Sequence, residues 1–187
     1  MSGIRRGRLI LLIFTVAALA AAVFALLYYS GMFLPAWAAW HEKNIEIQDT
    51  ANGGKYEIVL KKRKLRVYKN GECEFESPLG CKVQNVLYTD IDRDGEDELI
   101  LLNFNIGRYG AHKPFWVKHN KAKWFQHIYI YDHIKEEGRF RPIWMASDIS
   151  MEAADFELEE KQVIKMTDRY GNITRWMWIS FGLRCVD

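Results

Sequence analysis

The chain is poor in the residues that staple or punctuate small folds, with 3 cysteines and 4 prolines among 187 residues. Cys73, Cys81 and Cys185 are an odd set without a Cys-x-x-Cys pair, which argues against both a structural zinc site and a thioredoxin-like motif. Cys73 and Cys81 could bridge in an oxidising compartment, a pairing that spacing alone does not decide. Net charge is also scarce, at +2, so the surplus of cations that a nucleic-acid partner requires is missing. No nucleophile elbow, Walker loop, dinucleotide fingerprint or His-Glu-x-x-His is present. The paired acids Glu136–Glu137 and Glu159–Glu160 fall in predicted turns and read as solvated. A hydrolase would therefore have to assemble its carboxylate pair from distant strands.

One thing is abundant. From Leu9 to Tyr29 no residue carries a charge, and at about 1.5 Å per residue such a helix is about 32 Å long, enough for the hydrocarbon core of a bilayer. A cleaved signal peptide has an apolar region of only about 7–15 residues, so this run reads as an uncut anchor, although Ala-Leu-Ala at 18–20 and Ala-Trp-Ala at 36–38 imitate cleavage sites. Arg5, Arg6 and Arg8 precede the run, whereas His41, Glu42 and Lys43 follow it, so the positive-inside rule places the N-terminus in the cytoplasm. The expected organisation is a cytoplasmic tail (1–8), a signal-anchor helix (9–31), a juxtamembrane linker (32–54) and an extracytoplasmic β domain (55–187). Tyr28, Tyr29, Phe33, Trp37 and Trp40 sit where an interfacial aromatic belt would, with the start of the domain core as the other reading for the two tryptophans. Ala17, Ala21 and Ala25 share a helical face on which two anchors could approach closely.

Beyond the anchor, short strand-like runs alternate with turn signals: Tyr56–Leu60, Leu65–Tyr68, Glu72–Glu76, Val83–Tyr88, Leu99–Phe104, His127–Tyr131, Phe140–Met145, Phe156–Leu158, Val163–Met166 and Ile173–Phe181. Asn70-Gly71 supplies the two positive-φ residues of a type I′ hairpin. Lys135–Arg139 and Asp168–Asn172 read as further hairpin connections. The pattern predicts an all-β fold, an antiparallel meander of two or three blade-like sheets or a sandwich. Leu99-Ile100-Leu101-Leu102 lacks alternation, as expected of a central strand buried on both faces. The basic cluster Lys61, Lys62, Arg63, Lys64 and Arg66 reads as a solvated strand face, with anionic headgroups as the second reading. On the last strand, Trp176 and Trp178 share one face while Met177, Ile179 and Phe181 share the other; both being apolar, both are expected to be buried.

Asp90-Ile91-Asp92-Arg93-Asp94-Gly95-Glu96-Asp97-Glu98 puts carboxylates at alternate positions around a glycine that permits a sharp turn. Such a loop can wrap a hard cation in oxygen, and calcium, with its 6–8 oxygen ligands, suits it better than zinc. Asp90, Asp92, Asp94 and Glu98 are the expected side-chain ligands, and Glu96 the donor of a backbone carbonyl. An EF-hand is excluded, because the twelfth loop position is Leu101 and an apolar strand follows. The strand–loop–strand setting instead resembles the calcium loops of FG-GAP and VCBS repeats, with Glu98 standing where that pattern usually has Asp. The resemblance covers Val83–Leu102 and implies an extracellular, non-catalytic, propeller-type module.

Asn105 to Gln126 shows neither periodicity, and an unstructured connection of this length inside a compact domain is often functional. Its mixture of aromatic, basic and glycine residues suits ligand contact, with Arg108, Tyr109, His112, Trp116 and Trp124 as the candidates. Against this stands the reading that Phe115, Trp116 and Trp124 fold back onto the sheet. His112, His119 and His127 match no helical metal-binding spacing. The function expected is an anchored extracytoplasmic binding or assembly module, stabilised by calcium and offering a loop-rich surface to a carbohydrate, peptidoglycan or protein. Two alternatives stay open: a cell-surface hydrolase, and a subunit completed by protein partners.

Overall fold

The computed structural model describes residues 2–49, 54–110, 115–134, 137–160 and 162–187. It divides into two compact units, Met1–Pro35 and Ala36–Asp187. The first is built on helix α1 (Ser2–Ser30), whose Gly7–Ser30 stretch is long and apolar enough to cross a membrane and buries none of its side chains within the protein.

The second unit is all β, with twelve strands among the described residues. They form three four-stranded antiparallel meanders in sequence order. The first sheet comprises β1 (Lys43–Asp49), β2 (Gly54–Lys61), β3 (Lys64–Lys69) and β4 (Glu72–Glu76). The second comprises β5 (Lys82–Thr89), β6 (Glu98–Ile106), β7 (Trp124–Ile134) and β8 (Arg139–Met145). The third comprises β9 (Ala153–Glu160), β10 (Val163–Asp168), β11 (Ile173–Ile179) and β12 (Gly182–Cys185). The expected two or three blade-like sheets are thus three. β1 begins at Lys43, inside the stretch assigned to a linker; β11 ends at Ile179, short of the expected Phe181, and β12 beyond the turn at Ser180-Phe181 is a strand that the sequence pattern did not announce.

Two hydrophobic cores make the second sheet the middle layer. Tyr56, Ile58, Leu60, Leu65 and Val67 of the first sheet pack on Val83, Val86, Leu99, Leu101, Tyr129 and Tyr131 of the second. The opposite face of the second sheet, with Leu87, Ile100, Leu102, Ile128 and Ile130, packs on Ala153, Phe156, Ile164 and Met166 of the third. Successive side chains of a strand point to opposite faces, so a strand of the middle layer is covered at every position and has no polar face to alternate with. That is why Leu99–Leu102 runs without alternation, and all four residues are fully buried. A bulge at Gln84 shifts the register of β5 and brings Val83 and Val86 onto the same face.

Side-chain amides stitch the second and third sheets where apolar residues do not. Gln126 donates to Gln84 Oε1 at 2.7 Å and to the Ala153 carbonyl at 2.6 Å, while its own Oε1 accepts from Ala153 N. Asn85 donates to Asp155 Oδ1 at 2.7 Å, and the other oxygen of Asp155 lies 2.8 Å from His41 Nε2. The segment before β1 threads through the same seam: Ala39 N donates to Ala154 O and His41 N to Gln84 O. Trp37 and Trp40 both lean on Phe104, and the Arg63 guanidinium lies 4.0 Å from the Trp40 ring centroid, so both tryptophans belong to the β unit.

The outer face of the first sheet is covered by ion pairs, Glu46–Lys55 and Glu76 with both Lys64 and Arg66, as the solvated reading of the basic cluster expects. Asn70 and Gly71 both have positive φ, as a type I′ turn requires; Lys62 and Arg63 do the same without a glycine. On β11 the expectation divides. Trp176 and Trp178 pack on the second core, but Ile179 at the end of the strand is half-exposed, and Phe181 lies beyond the strand in the turn to β12, where it is 90% exposed. The cysteines are all free, Cys81 buried and Cys73 and Cys185 exposed.

Candidate metal loop and binding surface

The connection between β5 and β6 wraps the acidic side chains around its own backbone. Asp90 Oδ1 accepts from Arg93 N at 2.7 Å, Asp92 Oδ1 from Asp94 N at 3.3 Å, and Asp94 Oδ1 from Glu96 N at 2.9 Å. Arg93 and Gly95 take positive φ, which turns the chain back toward β6. Glu98, the first residue of β6, is 1% exposed and accepts from Ile91 N at 2.8 Å. One carboxylate oxygen from each of Asp90, Asp92 and Glu98 lies within 4.8 Å of the others. Two ligands facing each other across a calcium ion at about 2.4 Å are about 4.8 Å apart, so this spacing fits a shared ion. Asp94 and Glu96 lie on the exposed rim of the loop.

The same crowding shows in the protonation equilibria. Burial, and then the neighbouring Asp92, Asp94 and Asp90, push the Glu98 carboxyl up to about 8. Burial and the charge on Asp94 raise Asp92 as well. Burial and mutual repulsion thus act together to disfavour the ionised forms of Glu98 and Asp92.

The long connection between β6 and β7 leaves the opposite end of the second sheet. Its neck is pinned: Gly107 N donates to Lys123 O at 2.8 Å, and Tyr109 N to Asn120 Oδ1 at 3.4 Å. Gly107 and Gly110 both have positive φ, and a Cβ would collide with Asn120 at the first and with the Tyr129 hydroxyl at the second. Beyond the neck, Phe115 is 93% and Trp116 69% exposed, their rings edge-on at 4.8 Å. The fold-back reading therefore fails for these two. Arg108 is exposed, Tyr109 partly buried, and Trp124 partly buried at the start of β7; His112 lies outside the described residues. His127 is buried, with Nδ1 against the carbonyls of Ala146 and Ser147, and burial lowers its pKa.

An open cleft of about 530 Å³ lies between the segment before β9 and the β10–β11 turn, lined by Asp148, Glu152, Asp168, Arg169 and Tyr170. Its carboxylates already have partners, Asp148 accepting from Ser150 N at 3.2 Å. Glu152 pairs with Arg169 at 2.8 Å, and Asp168 closes its own turn through Tyr170 N, Asn172 N and the Asn172 amide. Those hydrogen bonds, the Asn172 side chain first, lower the Asp168 pKa, the reverse of what a general acid needs. Pattern reading of the sequence did not single out this cleft, because its residues come from two turns that folding alone brings together. Comparison with known proteins finds no matching family model, no similar curated protein and no similar solved structure.

Proposed function

We propose that the chain is a single-pass, membrane-anchored binding or assembly module whose β unit stands outside the cytoplasm and is stabilised by calcium at Asp90–Glu98. The observation that carries the anchor is a helix apolar along Gly7–Ser30 with none of those side chains buried, beside a β unit that holds two complete cores of its own. In water that much exposed apolar surface is untenable; in a bilayer it is required. The orientation follows from Arg5, Arg6 and Arg8 on the N-terminal side of the span. The calcium reading is supported by the convergence of Asp90, Asp92 and Glu98 in a strand–loop–strand setting, and we take the loop to be of FG-GAP and VCBS type, with Glu98 replacing the usual Asp. The surface offered to a partner is the pinned loop between β6 and β7.

Protease added to intact cells should remove the β unit and spare the tail before the helix. Complete protection until the cells are permeabilised would reverse the orientation. Release of the β unit into the medium without protease would instead show a cleaved leader.

A further inference from the structure

We infer that the loop tip at Phe115 and Trp116 docks on the surface of the bilayer in which the chain is anchored, and that the surface it fits is one with anionic headgroups. The inference rests on the anchor reading above and names the partner of the loop. Three observations converge on it. The tip presents two adjacent aromatic rings, Phe115 almost wholly and Trp116 mostly exposed, and the neck below them is fixed by Gly107–Lys123 and Tyr109–Asn120. Arg108, Lys118, Lys121 and Lys123 are exposed around it, and the chain carries no acidic residue between Glu98 and Asp132. The loop departs from the end of β6, where Trp37 and Trp40, among the first residues of the β unit, pack on Phe104.

Phenylalanine and tryptophan flanked by lysine and arginine are the residues that settle at a membrane interface, the rings among the acyl boundary and the cations among anionic headgroups. A soluble polyanion would reward the cations but not an exposed phenylalanine, and a neutral sugar would reward the ring but not a stretch cleared of acid. The bilayer rewards both.

The test uses the full chain reconstituted in lipid nanodiscs. With Cys73→Ser and Cys185→Ser removing the exposed thiols, Trp116→Cys is labelled with a polarity-sensitive nitrobenzoxadiazole probe, and Glu137→Cys, exposed at the far end of the second sheet, serves as the control site. The expected result is a blue-shifted emission at position 116 in discs containing phosphatidylglycerol. The shift should be smaller in pure phosphatidylcholine, be lost when Lys121→Glu and Lys123→Glu are added, and be absent at position 137. A chain that elutes with the discs while its probe at 116 stays water-like in both lipids would overturn the docking alone. A shift equally produced by adding polyphosphate to phosphatidylcholine discs would assign the loop to a soluble polyanion instead. A chain that does not elute with discs would remove the anchor reading, and this inference with it. Intrinsic fluorescence quenching by brominated phosphatidylglycerol, compared between the unlabelled chain and Trp116→Phe, reads the same contact without the cysteine changes.

Discussion

Leu101→Ala and Ile100→Ala should each cost about 2–5 kcal/mol of stability, although they are sequence neighbours whose side chains point in opposite directions. Leu101 belongs to the core shared with the first sheet and Ile100 to the core shared with the third, and both are fully buried. Each truncation removes three side-chain carbons from a packed layer that collapses only partly into the space, so a cavity penalty adds to the lost transfer free energy. A domain of this size is stable by only about 5–15 kcal/mol, so either change would consume a large share. Ile179→Ala, on the half-exposed outer face of the third sheet, should cost well under either. Urea unfolding of the Ala36–Asp187 unit, read as a fall in midpoint at constant m-value, measures all three. If only one of the two neighbours proved costly, the second sheet would have a wet face and the three-layer arrangement would be wrong.

That arrangement was legible in the sequence where hydrophobic period carries the information. The unbroken Leu99–Leu102 run announced a strand covered on both sides, and Asn70-Gly71 announced its hairpin, because apolar pattern and positive φ are local properties. β1 was hidden, since in Lys43–Asp49 only Ile45 and Ile47 are apolar and face inward, too short an alternation to outweigh the polar residues around them. The seam between the second and third sheets was hidden for a different reason. Gln84, Asn85 and Gln126 are buried through hydrogen bonds to the backbone and side chains of β9, and no periodicity reports a partner 27 to 71 residues away. Phe181 misled in the opposite sense: its apolar side chain continues the period of β11 in the sequence, although the strand ends at Ile179 and Phe181 falls in the exposed turn to β12. Within the acidic loop the alternation of carboxylates was visible at once. That Glu98 alone among them is nearly inaccessible follows only from the packing of β6 in the middle layer.

The burial of Glu98 leads to the second large effect. In chelator, the β unit should become more stable as pH falls from about 8 toward 5, contrary to the usual behaviour of a paired carboxylate. With the folded pKa of Glu98 raised to about 8 against 4.5 in the unfolded chain, the folded state holds a proton that the unfolded state has released throughout that interval. Stability therefore falls as pH rises through it, by an amount on the order of a few kcal/mol, since each tenfold difference in proton affinity between the two states is worth about 1.36 kcal/mol. Asp92, also raised, acts in the same direction. His127, whose pKa burial lowers, pulls the other way below about pH 6.5, where the unfolded chain gains a proton that the folded one refuses. The difference between the natural chain and Glu98→Gln, which cannot ionise, isolates the carboxylate. Calcium should reverse the trend, because it binds the ionised form. At pH 8 a ligand at 100 times its dissociation constant adds about 2.7 kcal/mol, and that gain should shrink as protons compete for Glu98 at lower pH. Asp92→Ala should abolish most of the calcium effect, and magnesium, which demands a stricter octahedron, should substitute poorly. Thermal melts between pH 5 and 8, with calcium and with chelator, supply every one of these comparisons. Equal melting temperatures with and without millimolar calcium at pH 8, together with no heat of binding in calorimetry, would return Asp90–Glu98 to an ordinary acidic turn.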